Sequence, residues 1–182
     1  MNTLTVTPAA HTADYLYSNH VLQSTMQQME QAATWYHDAQ KVAEHVAENL
    51  GVSLEIGASV VSAFSPRERW SSNVAKALAF SQGKPVAGLQ NNYRMAQAAL
   101  ELGFDALKGQ KTNAFARAIA GDTDAVVIDV WMMRAALMPT DSPNKSQYNM
   151  LADTVRRIAG EHGITPRTCQ ALIWIVKRGS AN

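Results

Sequence analysis

Residues 119–137, IAGDTDAVVIDVWMMRAAL, contain the one stretch of the chain whose pattern resembles a β-strand. This apolar run, residues 125–128, is four residues long, and no second run of the same kind accompanies it. A sheet requires several strands that hydrogen-bond to one another, so a solitary run this short does not build one. The sequence therefore predicts an all-α fold, a compact helical bundle.

Asp129 follows this run directly and precedes a predicted helix at residues 130–137. An aspartate at such a junction can accept hydrogen bonds from the free backbone N–H groups of the first helical turn and complement the helix dipole. A catalytic role would place the same carboxylate next to a reacting group. Both interpretations are open on this stretch alone, and the rest of the chain decides between them.

Apolar residues recur at spacings of three and four along most of the chain, which is typical of amphipathic helices. Ser53 and Thr165 are residue types that cap helix N-termini, and Pro166 suits a first helical position. Residues 1–20 lack a helical stripe, so we expect a loosely held, flexible arm there, followed by one helical domain at residues 21–182. The predicted helices cover residues 21–50 (one long or two abutting), 54–64, 67–80, 86–103, a short helix ending at 107, 111–120, 130–137, 148–162 and 166–178.

The cysteine content and the N-terminus favour a cytoplasmic protein. Cys169 is the single cysteine, so no intramolecular disulfide can form. The N-terminus lacks the basic start and apolar core of a signal peptide, and no stretch approaches the roughly 20 apolar residues of a membrane helix. The five histidines show no metal-ligand spacing with cysteine or acidic residues. We therefore expect no membrane contact, no metal and no cofactor, and the oligomeric state stays open.

The formal net charge of +1 hides an asymmetry along the chain. Residues 1–64 hold one lysine against six acidic residues, a net charge of −5, whereas residues 65–182 hold fifteen basic against nine acidic residues, a net charge of +6. Excess positive charge over two thirds of a chain is compatible with a polyanionic partner such as nucleic acid.

A glycine turn precedes a helix at residues 107–112, LKGQKT. Gly109 interrupts two helical segments, and Lys111 and Thr112 open the second of them. The backbone N–H groups at such a helix start can bind an anion, including a DNA phosphate. Turns of this kind also connect helices in many proteins without an anion.

The order of these features resembles the helix-hairpin-helix DNA glycosylase superfamily, with an endonuclease III-like fold. In that family a turn of the form Leu-Pro-Gly-x-Gly-x-Lys-Thr precedes a Val-Asp-x-x-x-x-Arg segment. The corresponding residues here are LKGQKT and IDVWMMR, with Lys111 eighteen residues before Asp129. The turn is two residues shorter than the family's and lacks its proline and second glycine. No four-cysteine cluster is present, which excludes an iron–sulfur centre, and the short chain resembles small phage-encoded members of the superfamily.

The resemblance implies base extrusion followed by cleavage of an N-glycosidic bond. Asp129 would stabilise the positive charge that develops on the sugar or orient a water molecule, and Lys111, if buried beside it, would attack the sugar C1′. The residues implied in DNA binding are Gly109, Gln110, Thr112, Arg67 and Arg69. Those implied in the base pocket are Trp131, Tyr93, Asn92 and Arg134, with Trp70 as a further stacking candidate.

Each of these assignments has a structural alternative. Tryptophans on helices are common core residues, and the arginines can be solvated. Arg134 can pair with Asp129 or with another acidic residue.

Two other functions fit the same residues. Some phage members of the superfamily resemble transferases that join an amine to an activated 5-hydroxymethyl pyrimidine, where Asp129 would serve as a base. The chain could instead be a non-catalytic DNA-binding module, which the shortened turn and the small net charge favour.

Overall fold

The computed structural model describes residues 8–180, and every regular element in that range is helical, as the sequence predicts. Residues 125–128 belong to no regular element and pair with no strand in the described part of the chain. The elements are α1 (Pro8–Leu22), α2 (Met26–Leu50), α3 (Leu54–Ala63), α4 (Trp70–Ser81), α5 (Gln90–Leu102), a 3₁₀ helix (Gly103–Ala106), α6 (Gln110–Ile119), α7 (Val130–Ala135), α8 (Lys145–His162) and α9 (Pro166–Arg178).

The described residues divide into two compact units. The terminal unit comprises residues 8–34 and 126–180, and the central unit comprises residues 35–125. The sequence predicts one helical domain at residues 21–182, and the structure divides this region more finely. Helix α2 begins in the terminal unit and continues into the central unit.

The core of the central unit is built around α3, which packs against α5 and α6. Its buried residues include Val60, Val61 and Phe64. Gly57 lets α3 approach α2 closely, because a Cβ there would lie 2.3 Å from the carbonyl oxygen of Ala43. No side chain fits at that distance.

The terminal unit packs α1, α7, α8 and α9 against one another. Its core holds large side chains with almost no exposed surface: Tyr17, Met132, Met133, Leu151, Ile158, Ile173 and Ile175. Cys169 is also fully buried, and burial raises the pKa of its thiol to about 12.

The expectation of a loosely held arm at residues 1–20 differs from the structure over its described part. Residues 8–22 form α1, and Ala13, Tyr17 and Val21 are buried on one face of it. These residues lie four apart, which is a helical spacing, but polar residues surround them and one member is a small alanine. Residues 1–7 lie outside the described range.

Local capping chemistry explains most of the helix boundaries. Ser53 accepts a hydrogen bond from the backbone N–H of Ile56 at the start of α3, and Thr165 accepts one from Thr168 at the start of α9. The predicted bounds of α9 are confirmed. A reciprocal pair of hydrogen bonds between Thr25 and Gln28 starts α2 at Met26, which separates it from α1.

Several predicted boundaries shift for identifiable reasons. Helix α4 begins three residues later than predicted because Arg67 has a positive φ of 63°. Helix α5 begins after Gly88, whose φ is 131°. Helix α8 begins earlier, at Lys145, because Asn144 and Gln147 form a capping box. The short segment before Gly109 is a 3₁₀ helix that ends at Ala106.

Candidate functional site

Asp129 is the N-cap residue of α7, so the capping interpretation is confirmed. Its Oδ1 accepts hydrogen bonds from the backbone N–H groups of Trp131 at 2.9 Å and Met132 at 3.1 Å. Its Oδ2 accepts a third hydrogen bond, 3.0 Å long, from the indole Nε1 of Trp174 on α9. Three N–H donors therefore fix both oxygens of a carboxylate that is half-buried.

The chain on either side of Asp129 is held by two tyrosine hydroxyl groups. The Oη of Tyr148 donates to the carbonyl oxygen of Val126 at 2.8 Å and accepts from the backbone N–H of Ile128 at 3.3 Å. The Oη of Tyr17 donates to the carbonyl oxygen of Met132 at 2.9 Å. The two hydrogen bonds of Tyr148 satisfy buried backbone groups of the segment before Asp129, which has no strand partner, and the bond from Tyr17 ties α1 to α7.

Both phenols stay protonated over the ordinary pH range. Burial raises the pKa of Tyr148 to about 12, and the negative charge of Asp129 acts in the same direction. Burial also raises the pKa of Tyr17, and Asp129 again adds to the effect. The hydroxyl groups therefore remain hydrogen-bond donors to the backbone around Asp129.

Arg134 does not pair with Asp129. Its Nε and Nη2 donate to the two carboxylate oxygens of Asp141, at 3.0 Å and 2.6 Å. The hydrogen bonds from Arg134 lower the pKa of the exposed Asp141 carboxyl. The guanidinium also lies 5.3 Å from the ring centroid of Trp131, which is half-buried. Of the two structural alternatives, pairing with another acidic residue is the one observed.

The turn at Gly109 occupies the start of α6 in the central unit. Gly109 is the N-cap residue with an extended backbone (φ −77°, ψ 133°), and Gln110, Lys111 and Thr112 form the first turn of the helix. Lys111 is half-buried. The Oγ of Ser62, in the last turn of α3, donates to the carbonyl oxygen of Thr112 at 2.7 Å. This buried bond places the end of α3 beside the beginning of α6.

Arg67 and Arg69 follow the end of α3 closely, and both are exposed. Between them Glu68 forms an ion pair with Lys76, and hydrogen bonds from Lys76 and Ser72 lower the pKa of Glu68. The acidic charge in this turn is therefore compensated, whereas the two arginines remain available. The residues implied in DNA binding therefore lie in two segments of the central unit, the turn after α3 and the start of α6.

The remaining candidates in the central unit have structural contacts. Asn92 is buried and donates from Nδ2 to the carbonyl oxygen of Pro66 at 3.2 Å, which holds the turn that carries Arg67. Tyr93 packs edge-on against Phe80, with ring centroids 5.4 Å apart. Asn92 and Tyr93 both line a shallow pocket together with Lys76, Gly88 and Gln90.

Trp70 belongs to an aromatic cluster in the central unit. Its ring centroid lies 5.3 Å from that of Trp35 and 6.3 Å from that of Phe115. Trp70 is half-buried, and these ring contacts are with side chains of the protein.

The candidate residues are divided between the two units. Asp129, Trp131 and Arg134 lie together in the terminal unit. The others lie in the central unit: Arg67, Arg69, Asn92, Tyr93, Gly109, Gln110, Lys111 and Thr112. Tyr17, Tyr148 and Trp174 are not predicted site residues, because they lie on three other helices and no spacing rule connects them to Asp129.

Neither a metal centre nor a membrane span is found in the described part of the chain. Within residues 8–180, no group of three or more His, Cys, Asp or Glu side chains is arranged to hold a metal ion. None of the helices described there combines the length and the apolar character that crossing a membrane requires.

Comparison with protein families gives a match over most of the chain. The model described as "Family of unknown function (DUF7178)" matches residues 11–181. The chain belongs to this family. No curated protein and no solved structure matches the chain.

The region that the DUF7178 model covers includes both units. It contains Asp129 with the helices that hold its carboxylate, and also the α6 turn with Lys111. Both candidate regions of this DUF7178 protein are therefore parts of the family domain. The likeness to the glycosylase superfamily continues to rest on the residues of the turn and of the Asp129 segment.

Proposed function

We propose that this DUF7178 protein is a DNA base-processing enzyme that extrudes a modified base and cleaves its N-glycosidic bond. Asp129 is the essential carboxylate of this reaction. The observation that carries the proposal is the hydrogen bonding of Asp129: three N–H donors fix the carboxylate, while Arg134, the nearby cation of the motif, is bonded to Asp141.

Cleavage of an N-glycosidic bond is favoured by an anion that is fixed in this way. When the bond between C1′ and the base nitrogen breaks, its electron pair leaves with the base and positive charge develops on the sugar. A carboxylate that is already oriented stabilises that charge without reorganisation during the reaction. A water molecule then adds its oxygen to C1′, and its proton leaves to the carboxylate or to solvent.

The resemblance to the glycosylase superfamily also implies a route through Lys111. Its amine would attack C1′ and displace the base, giving a Schiff base with the opened sugar from which the strand can be cleaved. Borohydride reduces such an imine and traps the protein on DNA. A trapped adduct that is lost in Lys111→Gln supports this route, whereas base release without an adduct assigns the reaction to Asp129 and water.

The DNA strand would be bound at the end of the central unit that carries the α6 turn. The buried bond from Ser62 to Thr112 holds the end of α3 beside the start of α6, and the exposed Arg67 and Arg69 follow α3 in the chain. Arginine side chains and helix N-termini are common phosphate ligands in DNA complexes.

The test is a search for products on natural DNA. The full chain is incubated with phage and host genomic DNA, and the released bases and the digested nucleosides are identified by mass spectrometry. A free base that appears with the parent protein and disappears with Asp129→Asn supports the proposal. A gain in nucleoside mass when amines are supplied would replace it with the transferase function. DNA binding without a chemical change on any DNA would replace it with the binding module.

A further inference from the structure

Trp174 contacts two charged groups of opposite sign. Its indole Nε1 donates to Asp129, and the guanidinium of Arg178 lies over its ring, 4.7 Å from the ring centroid. Residues 174 and 178 are one helical turn apart on α9, so both side chains lie on the same face of the helix. Trp174 thus lies between Asp129 and Arg178 in the terminal unit and contacts both.

We propose that Arg178, held on the face of Trp174, binds a phosphate of the nucleic acid strand beside the nucleotide that reaches Asp129. Trp174 and Arg178 are then part of the site, with Trp174 as a positioning residue for both the carboxylate and the guanidinium. The inference rests on the proposed function, because it takes nucleic acid as the ligand.

The contact with the ring suits a phosphate ligand. A cation–π contact does not neutralise the guanidinium, so the positive charge of Arg178 can still attract an anion. The contact with the ring also restrains the Arg178 side chain, so less conformational entropy is lost when the phosphate binds.

Arg178 also differs from other arginines of the terminal unit. Arg134 is bonded to Asp141, Arg156 to Asp153, and Arg157 to Glu161. Among the described residues, the contact of Arg178 is with the ring of Trp174 and not with a carboxylate. Its positive charge is therefore available to an incoming anion.

Electrostatics favours a cation at position 178. A catalytic carboxylate repels the phosphates of an approaching strand, and Arg134 is already engaged with Asp141. A cation that shares Trp174 with Asp129 offsets this repulsion at the place where it arises.

The test measures the salt dependence of DNA binding. Fluorescence anisotropy of a labelled duplex and of a labelled single strand is recorded with the full chain over a range of salt concentrations. Each phosphate contact contributes about 0.9 to the slope of log K against log salt on duplex DNA. We expect Arg178→Gln to weaken binding about tenfold at low salt and to reduce the slope by about that amount.

Lys177→Gln is the matched control. It removes the same charge from the same turn of α9, but consecutive helical residues point about 100° apart, so Lys177 does not share the ring of Trp174. We expect it to change the slope by less than half as much. If the two variants changed the slope equally, the loss of any positive charge in this turn would explain the result, and the inference would be overturned.

Two substitutions of Trp174 separate its contacts. Trp174→Phe keeps an aromatic face for Arg178 and loses the N–H donor to Asp129, so the slope should stay at its parent value. Trp174→Leu removes the face and should lower the slope as Arg178→Gln does. If Trp174→Leu or Arg178→Gln has the same salt slope as the parent protein, the inference about Arg178 is overturned and the proposed function is unaffected. If the parent protein binds neither DNA probe, the proposed function is overturned as well.

Discussion

The indole nitrogen of Trp174 donates a 3.0 Å hydrogen bond to Oδ2 of Asp129, 45 residues earlier in the chain. The bond connects the C-terminal helix α9 to the residue that starts α7. A hydrogen bond to a charged group stabilises a fold by roughly 1.5–3 kcal/mol, more than a neutral one. The same contact that orients the carboxylate therefore also contributes to the stability of the terminal unit.

Trp174→Phe should lower the free energy of unfolding by about 1–2 kcal/mol, because Trp174 is partly accessible to water and the lost bond is partly replaced by hydration. Urea denaturation followed by circular dichroism measures the effect. Trp131→Phe is the control, since the contact that involves the ring of Trp131 is with Arg134. In a double-mutant cycle with Asp129→Asn, a coupling energy near zero would contradict the bond.

Tyr148→Phe should destabilise the protein by about 2–3 kcal/mol. The substitution leaves the backbone carbonyl of Val126 and the N–H of Ile128 buried without the partner that Tyr148 supplies. Tyr15→Phe is a matched control because Tyr15 is 68% exposed. Chemical denaturation of both variants checks the expectation, and similar small losses in the two would mean that the hydroxyl of Tyr148 is dispensable.

Alkaline pH should destabilise the fold through Tyr148. Its pKa is raised from 10.0 to about 12, so its contribution to stability is fully present below pH 10 and is lost as the pH rises through 12. The buried Tyr17 acts in the same direction. Stability measured at steps between pH 9 and 12 should fall less steeply in Tyr148→Phe. Tyrosine ionisation is followed by absorbance at 295 nm. If every tyrosine titrated near pH 10 while the circular dichroism spectrum stayed native, the prediction would be refuted.

Gly57→Ala should destabilise the central unit by about 1–3 kcal/mol, because the new Cβ would meet the carbonyl oxygen of Ala43 at 2.3 Å and the two helices would have to separate. Gly160→Ala in α8 is the opposite case. Its Cβ would meet no heavy atom within 4 Å, so the higher helix propensity of alanine should raise stability by up to about 1 kcal/mol. Thermal unfolding of both variants compares them, and a neutral Gly57→Ala would rule out the close contact between α2 and α3.

Helix boundaries could be predicted from the sequence wherever a short-range capping interaction sets them. Thr165 and Pro166 define the start of α9, and Asp129 defines the start of α7, because each interacts with backbone groups within three residues. Helix α1 was missed because its buried face consists of Ala13, Tyr17 and Val21, a pattern too weak to separate from its polar neighbours.

The candidate site was only partly predictable for a related reason. Asp129 could be identified from its junction, and Arg134 from the motif. Tyr17 reaches this segment from 115 residues away, and Trp174 from 45. Such contacts depend on how the helices pack, and a side chain's identity and local spacing do not encode that packing.

The most direct measurement of the central claim compares base release by three proteins: the parent chain, Asp129→Asn and Asp153→Asn. Asparagine still accepts the capping hydrogen bonds at position 129, so the fold is kept while the negative charge is removed. Asp153 undergoes the same chemical change on the exposed surface of α8. We expect the parent and Asp153→Asn to release a free base. Asp129→Asn should release it at least about a hundredfold more slowly, which is the rate loss typical of removing one electrostatic contact to a transition state. Equal release by all three proteins would contradict it.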